Sequence, residues 1–322
     1  MDLFQRQDTL RSQFARLCFV YLICIGVLSF IVSGLTVASI FYFDIAGVDD
    51  GFTKVLLGNI KLVSTVASAV IAVVTFVALI KFWRLNSAGI EGLVRSLGAT
   101  EINPEAATPK YNVLVNVVEE MQLASGGQMP RIFVMRCDSI NAFAATVKGE
   151  ALIGVTEGAL KHFSRRQLQA VVAHEYGHIV NGDSRINLML TAAMYSFAWV
   201  LYLGIHCISG NNRSTRVGFA LIVLGGLGVC FSTVIGMMMY RQREYLADAS
   251  AVQFVRDPEA LASALELIRD KGGDLESIEA SESSHLFFSD PGISYASSSS
   301  KWAEIFSTHP PIDKRIRALR ST

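Results

Sequence analysis

Four long runs without a charged residue constrain the fold of this chain more than any other feature. They cover 27, 19, 23 and 24 residues, at positions 17–43, 62–80, 186–208 and 217–240. A helix of about 20 apolar residues crosses the roughly 30 Å hydrocarbon core of a bilayer. Hydrophobic residues make up 51% of the chain and charged residues 17%, which is more apolar than an ordinary soluble domain. We therefore predict four transmembrane helices.

Three of these runs have an alternative interpretation. For the first run, the alternative to a transmembrane helix is a cleaved signal peptide. The run is, however, longer than the apolar segment of a signal peptide, which has about 7–15 residues. The third and fourth runs contain His206, Gly225 and Gly228. A buried helical hairpin within a soluble domain is therefore the alternative for these two.

Cationic residues flank the runs on one side of the predicted membrane. They precede the first and third runs and follow the second and fourth: Arg6, Arg11, Arg16, Lys81, Arg84, Arg185, Arg241 and Arg243. Cytoplasmic loops carry an excess of Lys and Arg, so both termini are predicted to face the cytoplasm. Arg213 and Arg216, between the last two runs, argue for the opposite orientation.

Charge and cysteine usage exclude other classes of protein. The formal net charge is zero, so the composition gives no indication of nucleic-acid binding. The five cysteines include no C-x-x-C pair, and four of them lie in the apolar runs. They are therefore interpreted as small buried hydrophobic residues, not as a disulfide framework or a thiolate metal site.

The segment 167–183, QLQAVVAHEYGHIVNGD, carries the strongest chemical signal. Ser164 and Gln167 form a capping box, which predicts a helix that begins here. On that helix His174 and His178 project from one face and can bind a single metal ion. Glu175 supplies a carboxylate that can take a proton from water whose pKa bound Zn²⁺ lowers to about 7. The alternative is a chance match to this short motif.

A third ligand is predicted just after the fourth apolar run. Glu244 and Asp248 are four residues apart and share a helix face. A catalytic zinc takes three protein ligands, and two histidines with one glutamate are a standard set. Glu244 is the predicted ligand, and Asp248 is predicted to orient an imidazole. The alternative is a solvated face on which Glu244 pairs with Arg241 or Arg243.

Short β-rich segments precede the motif helix. They lie at 131–136, 141–147 and 151–155, and Lys148-Gly149-Glu150 predicts a hairpin turn between the last two. A small sheet can pair one edge with an extended peptide substrate. Asn141 could contribute its amide to such pairing, and an ordinary turn residue is the alternative.

The C-terminal region carries weaker signals. A loop rich in Ser and Gly at 273–300 is predicted to be mobile and to cover the cleft, and His285 within it is interpreted as structural. His309 lies in THPP, before a basic helix predicted at 312–320. From spacing alone, it either donates a hydrogen bond to an oxyanion or has no part in the chemistry.

Together these patterns predict an α+β chain that is mainly α. Residues 1–81 form an N-terminal membrane region with two spans, at about 17–43 and 62–80. Residues 82–322 form a metallopeptidase domain with a small β-sheet, interrupted by a hydrophobic hairpin at about 186–208 and 217–240.

Four segments, in this order, resemble the HtpX-type membrane zinc peptidases: NAFAATV, HEYGHIVNGD, RQREYLADASAVQF and THPPIDKRIRAL. These peptidases are gluzincins and are related to the CAAX prenyl endopeptidases. The resemblance covers nearly the whole chain. It implies a gluzincin-like fold with one Zn²⁺ per subunit.

By position, the resemblance implies a role for each site residue. The zinc ligands are His174, His178 and Glu244, with Asp248 behind them. The catalytic residues are Glu175, as general base and acid, and His309, near the oxyanion. The residues on the substrate-binding edge strand are Asn141 and Ala142.

The resemblance also implies an activity and a location. Such enzymes cut membrane or misfolded proteins at the cytoplasmic face of the bacterial inner membrane, in protein quality control. The partners are then a protein or peptide substrate and the lipid bilayer. The alternatives are a CAAX prenyl-type endopeptidase, a branch with more than four spans, and a non-catalytic membrane adaptor that zinc only stabilises.

Overall fold

Most of the residues that the structure describes lie after residue 56. The computed structural model describes residues 57–271 except 88, 107 and 209–211, residues 310–321, and scattered residues before 38, of which 25–34 are the longest run. His285, His309, the 273–300 loop and much of the first apolar run lie outside the described residues. Predictions for them stay predictions.

Helices dominate the described residues, with one small sheet. The elements in chain order are α1 (Ile60–Ser87), α2 (Gly89–Ser96), β1 (Ala99–Ile102), α3 (Asn112–Ser125), β2 (Arg131–Met135), β3 (Ala142–Val147), β4 (Glu150–Thr156), α4 (Glu157–His162), α5 (Arg165–Val180), α6 (Asp183–Cys207), α7 (Asn212–Val255), α8 (Pro258–Lys271) and α9 (Ile312–Arg320). The prediction of a mainly helical α+β fold is confirmed.

The four strands form one mixed sheet in the order β1-β2-β4-β3. The β2/β4 pair is parallel, and the β1/β2 and β3/β4 pairs are antiparallel. The predicted hairpin between β3 and β4 is present, with φ of 54° at Lys148 and 85° at Gly149. Positive φ at both turn residues matches the right-handed twist of the two strands. Strand β1 and helix α2 were not predicted from the sequence.

The sheet has a hydrophobic cluster on each face. Ile132 and Val134 of β2 pack with α3, α5 and α8, whereas Phe133 and Met135 pack with α2. Successive side chains of a strand point to opposite faces, so a strand with both faces covered reads as a continuous apolar run. RIFVM is such a run, and the metal-motif helix α5 packs directly on this sheet.

Among the described helices, three are long and apolar enough to cross a membrane: Ile60–Ser87, Asp183–Cys207 and Thr215–Val255. In α1, only 17% of the most apolar window is buried. A long apolar surface left uncovered on a helix is typical of contact with lipid. A shorter apolar helix, Ile25–Gly34, lies within the first predicted span. The count of four spans stays a prediction.

The described chain divides into two compact units. A sheet-containing unit holds residues 86–186, 237–271 and 310–321, and an all-helical unit holds 60–85 and 187–236. In the all-helical unit, a Cβ added at Gly225 would lie 2.4 Å from the backbone N of Leu201. Small residues let membrane helices approach closely, so this glycine is explained by helix packing.

Candidate metal centre

Helix α5 brings both motif histidines to one place. Its predicted capping box is present, because Ser164 accepts from the backbone N–H of Gln167 and the Gln167 side chain accepts from the N–H of Ser164. The buried side chain of His174 and the partly buried one of His178 follow one turn apart. Their Nε2 atoms are 3.1 Å from each other.

Helix α7 supplies a carboxylate to the same place. The Glu244 oxygens lie 3.7 Å from Nε2 of His174 and 3.6 Å from Nε2 of His178. The close approach of the helices depends on Gly177, where an added Cβ would lie 3.2 Å from the Cα of Ala247. One potential ligand atom from each of the three side chains lies within 4.8 Å of the others.

This cluster fits a divalent metal ion. Two nitrogen ligands at about 2.0–2.1 Å from a tetrahedral ion are separated by roughly 3.3 Å, close to the observed His174–His178 spacing. Two imidazoles and one carboxylate leave a position open for water or substrate, as catalytic sites do. Among the described residues, no other group of His, Cys, Asp and Glu side chains has this arrangement.

Glu175 is the remaining chemical group of the motif. It is buried, and its Oε1 has no hydrogen-bond partner among the described residues. A buried carboxylate oxygen without a partner is costly and requires an explanation. A water or substrate group at the metal centre would provide the missing partner.

Asp248 and Arg315 lie behind His174. Asp248 Oδ1 is 3.0 Å from Nδ1 of His174. Arg315, which is 1% exposed, donates to both Asp248 oxygens at 2.7 and 3.0 Å, and its Nη1 lies 3.0 Å from Glu244 Oε2. Arg315 was not among the site residues predicted from the sequence. Its signal was an arginine within the apolar stripe of Ile312, Ile316 and Leu319 on α9.

A matching pair of residues lies behind His178. Helix α5 ends before Gly182, whose φ of 71° turns the chain, and α6 begins at Asp183. The Asp183 carboxylate is 2.5 Å from Nδ1 of His178 and 2.9 Å from Nε of Arg243, and both acid and arginine are buried. This pair was not predicted either, because no local sequence pattern joins residues 60 positions apart.

The sequence profile of the family described as Peptidase family M48 matches residues 110–322. The chain belongs to peptidase family M48. It is a metallopeptidase, and its apolar helices make it a multi-pass membrane protein. The predicted enzyme class and the resemblance to HtpX-type peptidases are confirmed.

Relatives of this M48 peptidase carry the name "Protease HtpX homolog". One from Caldanaerobacter subterraneus subsp. tengcongensis is 35% identical over 70% of this chain and 76% of its own. Those from Limosilactobacillus reuteri and Bacteroides fragilis are 32% and 30% identical, over 71% and 64% of this chain and 78% and 67% of theirs. A solved structure titled "Crystal Structure of S. mikatae Ste24p" aligns with 99% of this chain and 89% of its own, at 15% identity and TM-score 0.36.

The two carboxylates give each imidazole of the M48 peptidase a defined role. Asp248 and Asp183 each accept a hydrogen bond from an Nδ1–H, which leaves both Nε2 atoms directed at the metal position. Burial lowers the pKa of His174 to about 4, despite the hydrogen bond with Asp248. Burial also opposes the charged form of His178, but the bond to Asp183 and nearby carboxylates outweigh it and raise its pKa to about 9.

We expect the metal affinity of this M48 peptidase to rise with pH. With a pKa of about 9, His178 carries a proton at neutral pH that must leave when a metal binds. Below that pKa the apparent association constant should therefore rise about tenfold per pH unit. Competition against a chelator of known affinity, repeated across this pH range, measures it.

Asp183→Asn is the matched control for this pH dependence. It removes the charge that raises the pKa of His178. The metal affinity of the variant should therefore change less with pH between neutral pH and the pKa that His178 has in the unmodified protein. Above a pH of about 9, where His178 is unprotonated in both proteins, the affinity of the variant should be about 10- to 100-fold lower, as for other supporting residues of metal ligands. An affinity with the same pH slope in both proteins would contradict the role given to Asp183.

The predicted substrate residues lie at the edge of the sheet. Asn141 directly precedes β3, and Ala142 is its first residue. Both are buried, and the Asn141 Oδ1 accepts from the N–H of Ala142 at 2.9 Å. The amide oxygen therefore binds local backbone here, as in the turn-residue interpretation. The role of Asn141 and Ala142 in substrate binding stays a prediction.

Proposed function

We propose that this protein is a zinc endopeptidase with one Zn²⁺ per subunit, held by His174, His178 and Glu244. The observation that carries the proposal is the cluster of these three side chains beside the buried carboxylate of Glu175. Zinc accepts such a mixed nitrogen and oxygen set, and one open position is typical of catalytic sites.

In the proposed mechanism, an extended substrate pairs with the outward edge of β3. A bound zinc ion would supply a Lewis acid and lower the pKa of a water to about 7. Glu175 accepts the proton of the attacking water and returns it to the leaving amine. Burial raises the pKa of the Glu175 carboxyl to about 8 in the metal-free protein, and the charge of a bound cation would lower this pKa and favour the carboxylate that accepts the proton.

Other residues support these steps. Asp248 and Asp183 keep the imidazoles in one tautomer and orientation. Arg315 offsets the charge of the buried Asp248 and Glu244. We propose that His309, outside the described residues, donates a hydrogen bond to the oxyanion.

The proposed location is the bacterial inner membrane, with the active site facing the cytoplasm. The support is the excess of Lys and Arg at the ends of the apolar runs that adjoin residues 82–185 and 241–322. The proposed substrates are membrane or misfolded proteins, cut in protein quality control. A cysteine substituted at Lys148, in the β3–β4 turn, should react with an impermeant reagent only in inverted vesicles. Labelling in intact spheroplasts would reject this orientation.

The experiment that tests the function uses detergent-purified protein isolated under chelation and then given zinc. About one zinc per chain and cleavage of casein are expected. Glu244→Ala should lose both, because one ligand is missing. Zinc binding without casein cleavage would favour a narrow substrate, and a prenylated peptide would then test the CAAX-type alternative. Failure to cut either substrate would leave the adaptor alternative.

A further inference from the structure

The outward edge of β3 has a defined pattern of backbone groups. Strand β3 ends the sheet and pairs with β4 on one side only. The N–H of Thr146 donates to the Ser184 hydroxyl at 2.8 Å, so it points away from β4. Backbone groups alternate sides along a strand, so Ala142, Ala144 and Thr146 all face outward.

Side chains bind this edge at both ends. The N–H of Ala142 donates to Oδ1 of Asn141 at 2.9 Å, and that of Thr146 donates to Ser184. Between them, the N–H of Ala144 makes no hydrogen bond within the described part of the chain. An edge strand presents unpaired backbone groups to which another chain can add. The stretch of this edge without a hydrogen bond is therefore short, and Ala144 within it is 7% exposed.

Ser184 is also tied to the metal centre. It is the second residue of α6, directly after Asp183, whose carboxylate binds His178 and Arg243. One turn of chain thus holds both a metal-ligand histidine and the far end of the edge strand. The adjacent side chains of Asp183 and Ser184 therefore connect the metal centre with β3.

We propose that Ser184 sets the register of the substrate strand, an inference that rests on the proposed endopeptidase function. By binding the N–H of Thr146, it ends the unpaired stretch, so an added strand pairs with the N–H of Ala144 and no further along β3. A strand that keeps the same side chains facing the sheet can slip only by two residues. Ser184 is a positioning residue that blocks this slipped register and so selects the peptide bond presented to Glu175.

The test compares cleavage positions. Casein, and synthetic peptides spanning its main cleavage positions, are digested by the zinc-loaded unmodified protein, Ser184→Ala and Ser184→Thr, and the products are sequenced by mass spectrometry. The alanine variant should cut at an added position two residues from the first. The KM of peptides long enough to reach Thr146 should fall about 2- to 10-fold, as expected for one net hydrogen bond. The threonine variant keeps the hydroxyl and should restore the single position.

Zinc binding, measured by chelator competition, is the second readout. It should be the same in all these proteins, because Ser184 is not a ligand. If the alanine variant loses zinc, Ser184→Val takes its place. Valine has nearly the same shape as threonine but lacks the hydroxyl, so the valine and threonine variants differ only in that group. Identical cleavage positions and KM with and without the hydroxyl, in proteins that bind zinc and cut casein, would overturn this inference alone. Failure of the unmodified protein to cut casein, these peptides and a prenylated peptide would overturn the proposed function together with it.

Discussion

Replacing Glu175 with glutamine should lower kcat/KM about 10²- to 10⁴-fold while metal binding persists. The change keeps the shape of the side chain and removes its ability to accept a proton. Glu175 is 1% exposed, so solvent cannot readily replace the lost base. The side chain is not part of the ligand cluster, so the metal should bind as before.

The measurement is the rate of peptide cleavage at saturating zinc, together with zinc stoichiometry. Glu119→Gln is the matched control, since this exposed glutamate of α3 lies outside the cluster. The control should retain full activity. Full activity in the Glu175 variant would exclude Glu175 as the general base. Loss of zinc from that variant would show that it contributes to the metal site instead.

Replacing Arg315 with methionine should lower the free energy of unfolding by about 3–5 kcal/mol. The guanidinium is 1% exposed and lies between the buried carboxylates of Asp248 and Glu244. Methionine fills a similar volume but removes this cation from both acids. Uncompensated buried charge, not lost packing, is the main cost.

Thermal and denaturant unfolding in detergent measure this loss. Arg317→Met is the matched control, because Arg317 is exposed on the same helix and should change stability by less than about 0.5 kcal/mol. Adding Asp248→Asn to Arg315→Met should recover part of the loss, since one unpaired charge is then removed. Equal stability of the Arg315 and Arg317 variants would contradict the pairing.

Local patterns were sufficient for many elements of the fold. The capping box at Ser164 acts over a few residues, and it is present. The β3–β4 hairpin follows from turn chemistry that is equally local. Strand β1 was missed because ATEI has no clear period and becomes a strand by pairing with β2.

The metal centre shows the same division. His174, Glu175 and His178 share one helix, so the helical period alone brings them together. Glu244 could be inferred because the chemistry of zinc calls for a third ligand. Nothing in the segment around Arg315 predicts a role at the metal centre, because its partners lie 67 and 71 positions away along the chain.

The sequence by itself therefore determined the apolar helices long enough to cross a membrane, the metal motif and the helix that carries it. Helical periodicity and capping act within a few residues. Only the tertiary structure decided which acid supports which histidine, which arginine offsets each acid, and that Ser184 closes the edge of β3. Those contacts join residues far apart in the chain. Burial makes each of them specific, because a charge or backbone group removed from water needs one defined partner.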